Sequence, residues 1–424
     1  MTGQVNRRDF VKSVGAGAFL LVCPGLVLSS EAESLRAMRK KAAGRRRRMI
    51  MNNDGNDVRV AATITPFQQE DLFEQRTTGL IGSQVDSIFY CTGVFNYYFH
   101  RSNESERLTS DENVAAYLRR LDALGTDPLA MMADYCRRHD FEIFWSMRMN
   151  DTHDSGNDLL FCQWKRDHPD YLVGTKDKRL AYGANRWSSV DYGVGAVRDK
   201  VFRILEDVCQ RYDVDGIELD FFRHPVLFRP QMTGEAVTQE HCDLMTGLLR
   251  RVRKMTEEIG LRRERPILIG IRIPDSVSYC KALGIDLVQW LESDLVDLVT
   301  GGGYFKMEPW ENLVALGKAY DVPVYACLVK RRIQSASEPE GVTAPQIWRG
   351  EAYRAWQAGV SGIYTFNRFN PNDGIFRELG DPKLLETLER RDRTAYVNEE
   401  SWSKPERWVI NGRDYVDKTI RSFR

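Results

Sequence analysis

No two cysteines in the chain stand at CxxC spacing, so the pattern of a structural zinc site is missing. The eight cysteines, at positions 23, 91, 136, 162, 209, 242, 280 and 327, are scattered. Several lie inside apolar runs, where a thiol serves as a small hydrophobe. No Gly-x-Gly-x-x-Gly follows an apolar run and no Gly-Lys-Ser/Thr follows a glycine cluster, which excludes the dinucleotide and P-loop signatures. Internal repeats and low-complexity tracts are absent, and no apolar run reaches the length of a spanning helix. Net charge is lacking too, with 60 basic and 60 acidic residues among 424. Positions 1–50 hold 11 basic and 3 acidic residues, leaving 49 basic against 57 acidic beyond, a net of −8. An acidic body with a basic leader is the reverse of a nucleic-acid binder. What is present is ordinary globular material, 42% hydrophobic and 28% charged, enough for a large core and too apolar for a disordered chain.

Positions 6–12 read Asn-Arg-Arg-Asp-Phe-Val-Lys and precede a short Gly/Ala-rich apolar stretch from Val14 to Leu28. The pairing resembles a twin-arginine export signal, which implies the twin-arginine translocase as partner during export. The mature protein is then periplasmic or extracellular, or membrane-tethered where the signal is retained, with no stable membrane span after cleavage. Residues 1–30 are read as the signal, 31–46 as a polar, basic linker running into Arg45-Arg46-Arg47-Arg48, and 393–424 as a tail packed on the body through Trp402, Trp408 and Tyr415.

Between them, eight apolar runs alternate with helix-length stretches. The runs are 49–52, 85–91, 141–149, 214–221, 267–273, 296–300, 322–328 and 360–366. The helical stretches are 67–82, 112–139, 193–211, 237–259, 281–292, 309–319, 345–357 and 382–390. In 197–209 the apolar residues Val197, Val201, Ile204, Leu205 and Val208 follow a 3.6-residue period. Eight strand–helix units predict an α/β chain, a (β/α)8 TIM barrel over 47–392. The first strand is placed at 47–52 rather than 58–64, because that sets Asn52, Asn53 and Asp54 at its C-terminal end with Gly55 permitting a tight turn.

Barrel chemistry sits at the C-terminal ends of the strands. Strand four, 214–225, reads Val-Asp-Gly-Ile-Glu-Leu-Asp-Phe-Phe-Arg-His-Pro. Alternation puts Gly216, Glu218 and Asp220 on the inner face and Ile217, Leu219 and Phe221 on the outer one. Two acids this close raise one pKa, which suits a proton donor. On strand three Ser146, Arg148 and Asn150 share the inner face, and Asp151, His153 and Asp154 follow in the loop. That loop is open to three readings: local hydrogen-bond capping, substrate binding or acid–base work, and a weak metal site of two carboxylates and an imidazole. Arg272 ends strand five, Gly301-Gly302-Gly303-Tyr304 ends strand six, and Asn367-Arg368 ends strand eight. Tyr97, Tyr98, His100, Trp164, Trp187, Tyr192, Tyr304 and Trp310 crowd the expected top loops and suggest a sugar-stacking platform.

The strand-four stretch resembles the Asp-Gly-Ile-x-x-Asp-x-x-Arg-x-Pro motif of glycosyl-hydrolase-like barrel proteins, relatives of glycoside hydrolases found among bacterial exported proteins. Asp220, Arg223 and Pro225 match its Asp, Arg and Pro, and Asn52-Asn53-Asp54-Gly55 is similar to their start. The resemblance implies a barrel acting on glycosidic bonds of an oligo- or polysaccharide. The Asn-Glu pair after strand four and the Glu after strand seven of the large retaining clan are not present. Asp220 is then expected as nucleophile or base, with Glu218 or Asp151 as general acid. Asn52, Asp54, Arg148, Asn150, His153, Asp154, Trp164, Arg223, His224, Arg272, Tyr304, Asn367 and Arg368 are expected to hold substrate. No cofactor or metal is called for and no nucleic acid is expected. The alternatives are a non-catalytic carbohydrate-binding barrel, and a metal-dependent hydrolase or lyase using Asp151, His153 and Asp154.

Overall fold

Eight short parallel strands close on themselves in chain order: β1 Met49–Asn53, β2 Val85–Tyr90, β3 Glu142–Arg148, β4 Gly216–Asp220, β5 Leu268–Ile273, β6 Leu298–Gly301, β7 Val324–Val329 and β8 Gly362–Phe366. β1 pairs with both β2 and β8, which completes the ring. This is the (β/α)8 barrel expected from the alternating runs, seen in a computed structural model that describes residues 24–109, 111–333, 343–391 and 404–421. The twin-arginine motif lies outside the described residues, as does Trp402. Among the described residues no helix is long and apolar enough to cross a membrane.

The strands read as near-continuous apolar runs because both faces are covered: helices pack outside, and side chains fill the inside. Phe89 and Phe144 stack in the barrel at 4.3 Å between centroids. Gly216 makes room for them, since a Cβ there would sit 2.2 Å from Phe144 Cε1. Gly216→Ala is therefore expected to destabilise the fold by about 1–3 kcal/mol through overpacking, read from urea unfolding.

Several helical stretches divide where the chain reverses. The 112–139 stretch is two helices, Glu112–Ala123 and Pro128–Arg138. Gly125 at φ +78° ends the first, and Asp127 caps the second by accepting from Leu129 N and Ala130 N. The 281–292 stretch belongs to two helices, Val277–Ala282 and Leu287–Glu292, parted at Gly284. Within 67–82 the only helical turns are Asp71–Glu74 and Thr78–Leu80, with Gly82 at φ +74° ending the segment.

The largest departure from the sequence reading is at the N-terminus. Residues 31–46, read as a linker, mostly belong to a helix, Pro24–Ala43, that packs on the helix Gln239–Arg262 and on β5. Arg36, Arg39 and Lys40 share one helical face and meet Asp294; Arg39 also reaches Asp297 at 2.6 Å. Arg47, part of the basic run that ends the polar segment, is wholly buried at the barrel's N-terminal end. Its guanidinium grips Glu142 through two bonds of 2.6 Å, and Ser87 donates to the same carboxylate. The basic spacing was visible in the sequence, but the acids that bury it lie about 95 and 255 residues away.

The tail crosses the C-terminal side of the barrel. Trp408 is buried, Tyr279 donates to Pro405 O, and Asp417 N donates to Met307 O.

Candidate active site

β1 ends in Asn53 and turns sharply at Gly55, whose φ is +77° and whose absent Cβ would lie 2.2 Å from Cys91 O. The turn hangs Asp54 over the strand ends. Asp54 accepts from Arg76 and from Asn56, and it contributes to a cleft of about 370 Å³ at the C-terminal mouth. The other walls come from Asn56, Arg59, Phe99, Asp111, Arg148, His153, Asn157, Leu159 and Arg223. Burial alone would raise the Asp54 carboxyl, but Arg76 and then Arg148 outweigh it and hold it below the usual range.

The loop after β3 supplies the cleft's histidine. Asp151, with no exposed surface, accepts from Arg148 Nη1 at 2.5 Å and faces His153 Nδ1 at 2.6 Å. Burial pushes this carboxyl up, but the His153 ring that hydrogen-bonds it, most of all when that ring is charged, and the Arg148 guanidinium hold it well below the ordinary range. Since Asp151 faces Nδ1, that nitrogen carries the proton, and Nε2 accepts from Arg223 Nη2 at 2.9 Å. The other end of the Arg223 guanidinium donates to the Tyr304 hydroxyl. Arg223 thus stretches from His153 to Tyr304 across the barrel mouth.

Glu218 and Asp220 do point inward, as alternation required, but neither lines the cleft. They are 0% and 1% exposed. Asp220 accepts from Arg272 Nη2 at 2.8 Å and from Phe222 N. Glu218, two residues further down β4, faces Ser146 Oγ at 2.5 Å and Tyr364 OH at 3.1 Å. Burial, followed by the charge of Asp220, pushes the Glu218 carboxyl up to about 8. Folded chains therefore hold a proton on Glu218 that unfolded chains release near 4.5. Stability attributable to this group is full below about 4.5 and falls as pH rises toward about 8. Glu218→Gln, which keeps a neutral group, is expected to gain melting temperature over the parent progressively between those pH values; a pH-independent difference refutes it.

The remaining expected residues divide. Arg148, His153 and Arg223 join Asp54 at the cleft. Tyr304 is buried behind Arg223, and Arg272 is buried against Asp220. Asn52 is buried inside the barrel and donates to Phe89 O. Asn150 ties loops together, donating to Val190 O and Val226 O. His224 is buried, its Nδ1 accepting from Thr152 N. Trp164 packs among Phe95, His168 and Tyr171. Arg368 pairs with Asp373, while Asn367 turns the chain after β8 at φ +56°.

Two groupings proposed from sequence do not form. Asp154 turns away from His153 to Lys165 at 2.6 Å and Ser188 at 2.5 Å. The Asp151, His153 and Asp154 trio is thereby split, and among the described residues no group of three or more His, Cys, Asp or Glu is placed to hold a metal. The ring platform is largely core: Tyr98, His100, Trp187, Tyr192, Tyr304 and Trp310 are buried. Phe99, itself buried, borders the cleft. Asn56, Arg59, Phe99, Asp111 and Asn157 were missed. Asn56 and Arg59 directly follow the β1 turn, a position that could have marked them; nothing in the sequence points to the others.

Fold and site define a parallel barrel with an ionisable cleft over its strand ends. No protein-family model matches the chain, and no curated protein matches it. Solved structures similar to it include the PgaB (BpsB) glycoside hydrolase domain from Bordetella bronchiseptica, at 11% identity and TM-score 0.46 over 80% of this chain and 99% of that one. The catalytic domain of psychrophilic chitinase B from Arthrobacter TAD20 is similar at 10% identity and TM-score 0.45, over 85% and 99% of the two chains. A glycoside hydrolase family 18 N-acetylglucosaminidase from Paenibacillus barengoltzii is similar at 13% identity and TM-score 0.40, over 73% and 94%.

Proposed function

We propose that the chain is a glycoside hydrolase, exported by the twin-arginine route, that cleaves glycosidic bonds of an oligo- or polysaccharide in this cleft. The observation that carries the reading is the meeting of Asp54, His153 backed by Asp151, Arg148 and Arg223 around one opening at the strand ends of a closed barrel. The strand-four motif and the leader support the substrate class and the compartment.

Hydrolysis needs one group to protonate the leaving oxygen and one to activate water or attack the anomeric carbon. Asp54, held ionised by Arg76 and Arg148, suits the second task. His153 suits the first: once an occupant engages Arg223, Nε2 can take up a proton, and Asp151 stabilises the imidazolium. The glycosidic C–O bond then breaks as its oxygen takes the Nε2 proton. Water adds to the anomeric carbon and loses a proton to Asp54; that proton returns to the imidazole through solvent. Glu218 and Asp220 remain proposed contributors from below, one protonated and one ion-paired with Arg272. They reach a sugar only if Arg223 moves off the mouth.

The test is a screen of bacterial, algal and plant polysaccharides for new reducing ends, with Asp54→Asn and Asp220→Asn alongside the parent. Loss in Asp54→Asn supports cleft chemistry; loss in Asp220→Asn alone moves the reaction to the deep pair. The burial of Glu218 and Asp220 favours one second reading, a non-catalytic carbohydrate-binding barrel. Binding of a glycan that never yields reducing ends would decide for it.

A further inference from the structure

Charges around the cleft are paired with one exception. Arg148 pairs with Asp151, Arg76 with Asp54, and Arg59 with Asp111. Arg223 is 9% exposed, yet among the described residues no carboxylate lies within ion-pairing distance of it. Its hydrogen-bond partners carry no negative charge: the Tyr304 hydroxyl and Nε2 of His153. Its Nε has no hydrogen-bond partner among the described residues. The rings of Tyr304 and Phe366 lie 5.6 and 5.9 Å from its carbon, a weak substitute for a counter-ion. Burying a cation without a carboxylate is unfavourable. Neighbouring groups feel its charge: after burial, Arg223 is the next cause that lowers both His224 and Arg186. This cationic spot sits on a body that is otherwise net acidic.

We propose that the cleft takes an acidic sugar, and that Arg223 is the specificity residue that supplies the counter-charge to its carboxylate or sulfate. The proposal deepens the glycosidase reading and rests on it for the saccharide class. A guanidinium fork matches either anion through two parallel bonds. Engaging the anion would also release His153 Nε2, coupling recognition of the charge to the freeing of the acid–base group.

The experiment measures binding separately from turnover. The full chain is applied at low ionic strength to pectate, alginate, hyaluronan and a carrageenan, each beside its carboxyl-reduced or desulfated counterpart, with neutral galactan and xylan as further members. Binding restricted to charged members, lost on reduction or desulfation and weakened by salt, is expected. Whether carboxyl reduction or desulfation abolishes it tells uronate from sulfate ester. Arg223→Gln should weaken binding by about 30-fold or more, and Arg223→Lys, which keeps charge but not the fork, by less. Circular dichroism checks that both variants fold. Preference for a neutral glycan, no binding to any charged member, or equal affinity in folded Arg223→Gln overturns the proposal. A charged glycan that binds through Arg223 but yields no reducing ends leaves this inference standing and removes the hydrolase reading.

Discussion

His153→Ala is expected to lower kcat/KM by about a hundredfold to ten-thousandfold on whichever glycan the screen identifies, the range for removing a positioned acid–base group. The side chain is 40% exposed at the cleft, and its fixed partner is Asp151, so the loss should fall on chemistry. The barrel should survive, because Arg148 continues to pair with Asp151. His153→Gln keeps a polar group of similar reach but cannot shuttle a proton, and should be nearly as impaired. Asp151→Asn separates positioning from reaction. It leaves the imidazole in place but no longer stabilises its charged form, so the pH profile of kcat should shift as well as its height. Activity within about threefold of the parent in folded His153→Ala would remove the histidine from the mechanism, since the smallest effect expected is about a hundredfold.

Glu142→Ala is expected to destabilise the protein by about 3–5 kcal/mol, measured from urea unfolding. The carboxylate accepts from Arg47 at 2.6 Å on each oxygen and from Ser87, all within the closed N-terminal end of the barrel. Removing it leaves a fully buried guanidinium whose remaining partners are the Ala42, Ala43 and Arg45 carbonyls and Tyr325. The cost is that of the abandoned cation more than of the lost attraction. Replacing both partners, Arg47→Met with Glu142→Leu, should therefore recover most of the stability. A single-variant loss below about 1 kcal/mol, the scale of an exposed pair, would show that water reaches this site. Because Glu142 and the cleft lie at opposite ends of β3, activity per folded molecule should not change.

The eight strands were legible because each is a short apolar run whose composition needs no distant partner to be recognised. Alternation on β4 likewise told which side chains face inward: Glu218 and Asp220 do. It could not tell how deep they sit. Asp220 is taken up by Arg272 and Phe222 N, while Arg223, three residues on, reaches Tyr304 and His153. Asp54 was legible as a residue at a strand end, whereas its ionised state depends on Arg76 and Arg148 from other elements. The aromatic cluster misled because a ring looks alike in sequence whether it stacks on a sugar or packs edge-on against Trp145, as Tyr98 and His100 do.

Periodicity along the chain thus established the barrel, the strand boundaries to within about two residues and the inward set of polar side chains, since each follows from the repeat of a local backbone. Folding in three dimensions decided which charges are paired, which acids meet solvent and that Arg223, at the cleft, has no carboxylate beside it among the described residues. Those outcomes depend on distances between residues such as Arg47 and Glu142 or Arg39 and Asp297, which no local pattern encodes. Coulomb attraction and desolvation act through space, so the electrostatics of the cleft came into view only once the strands had closed.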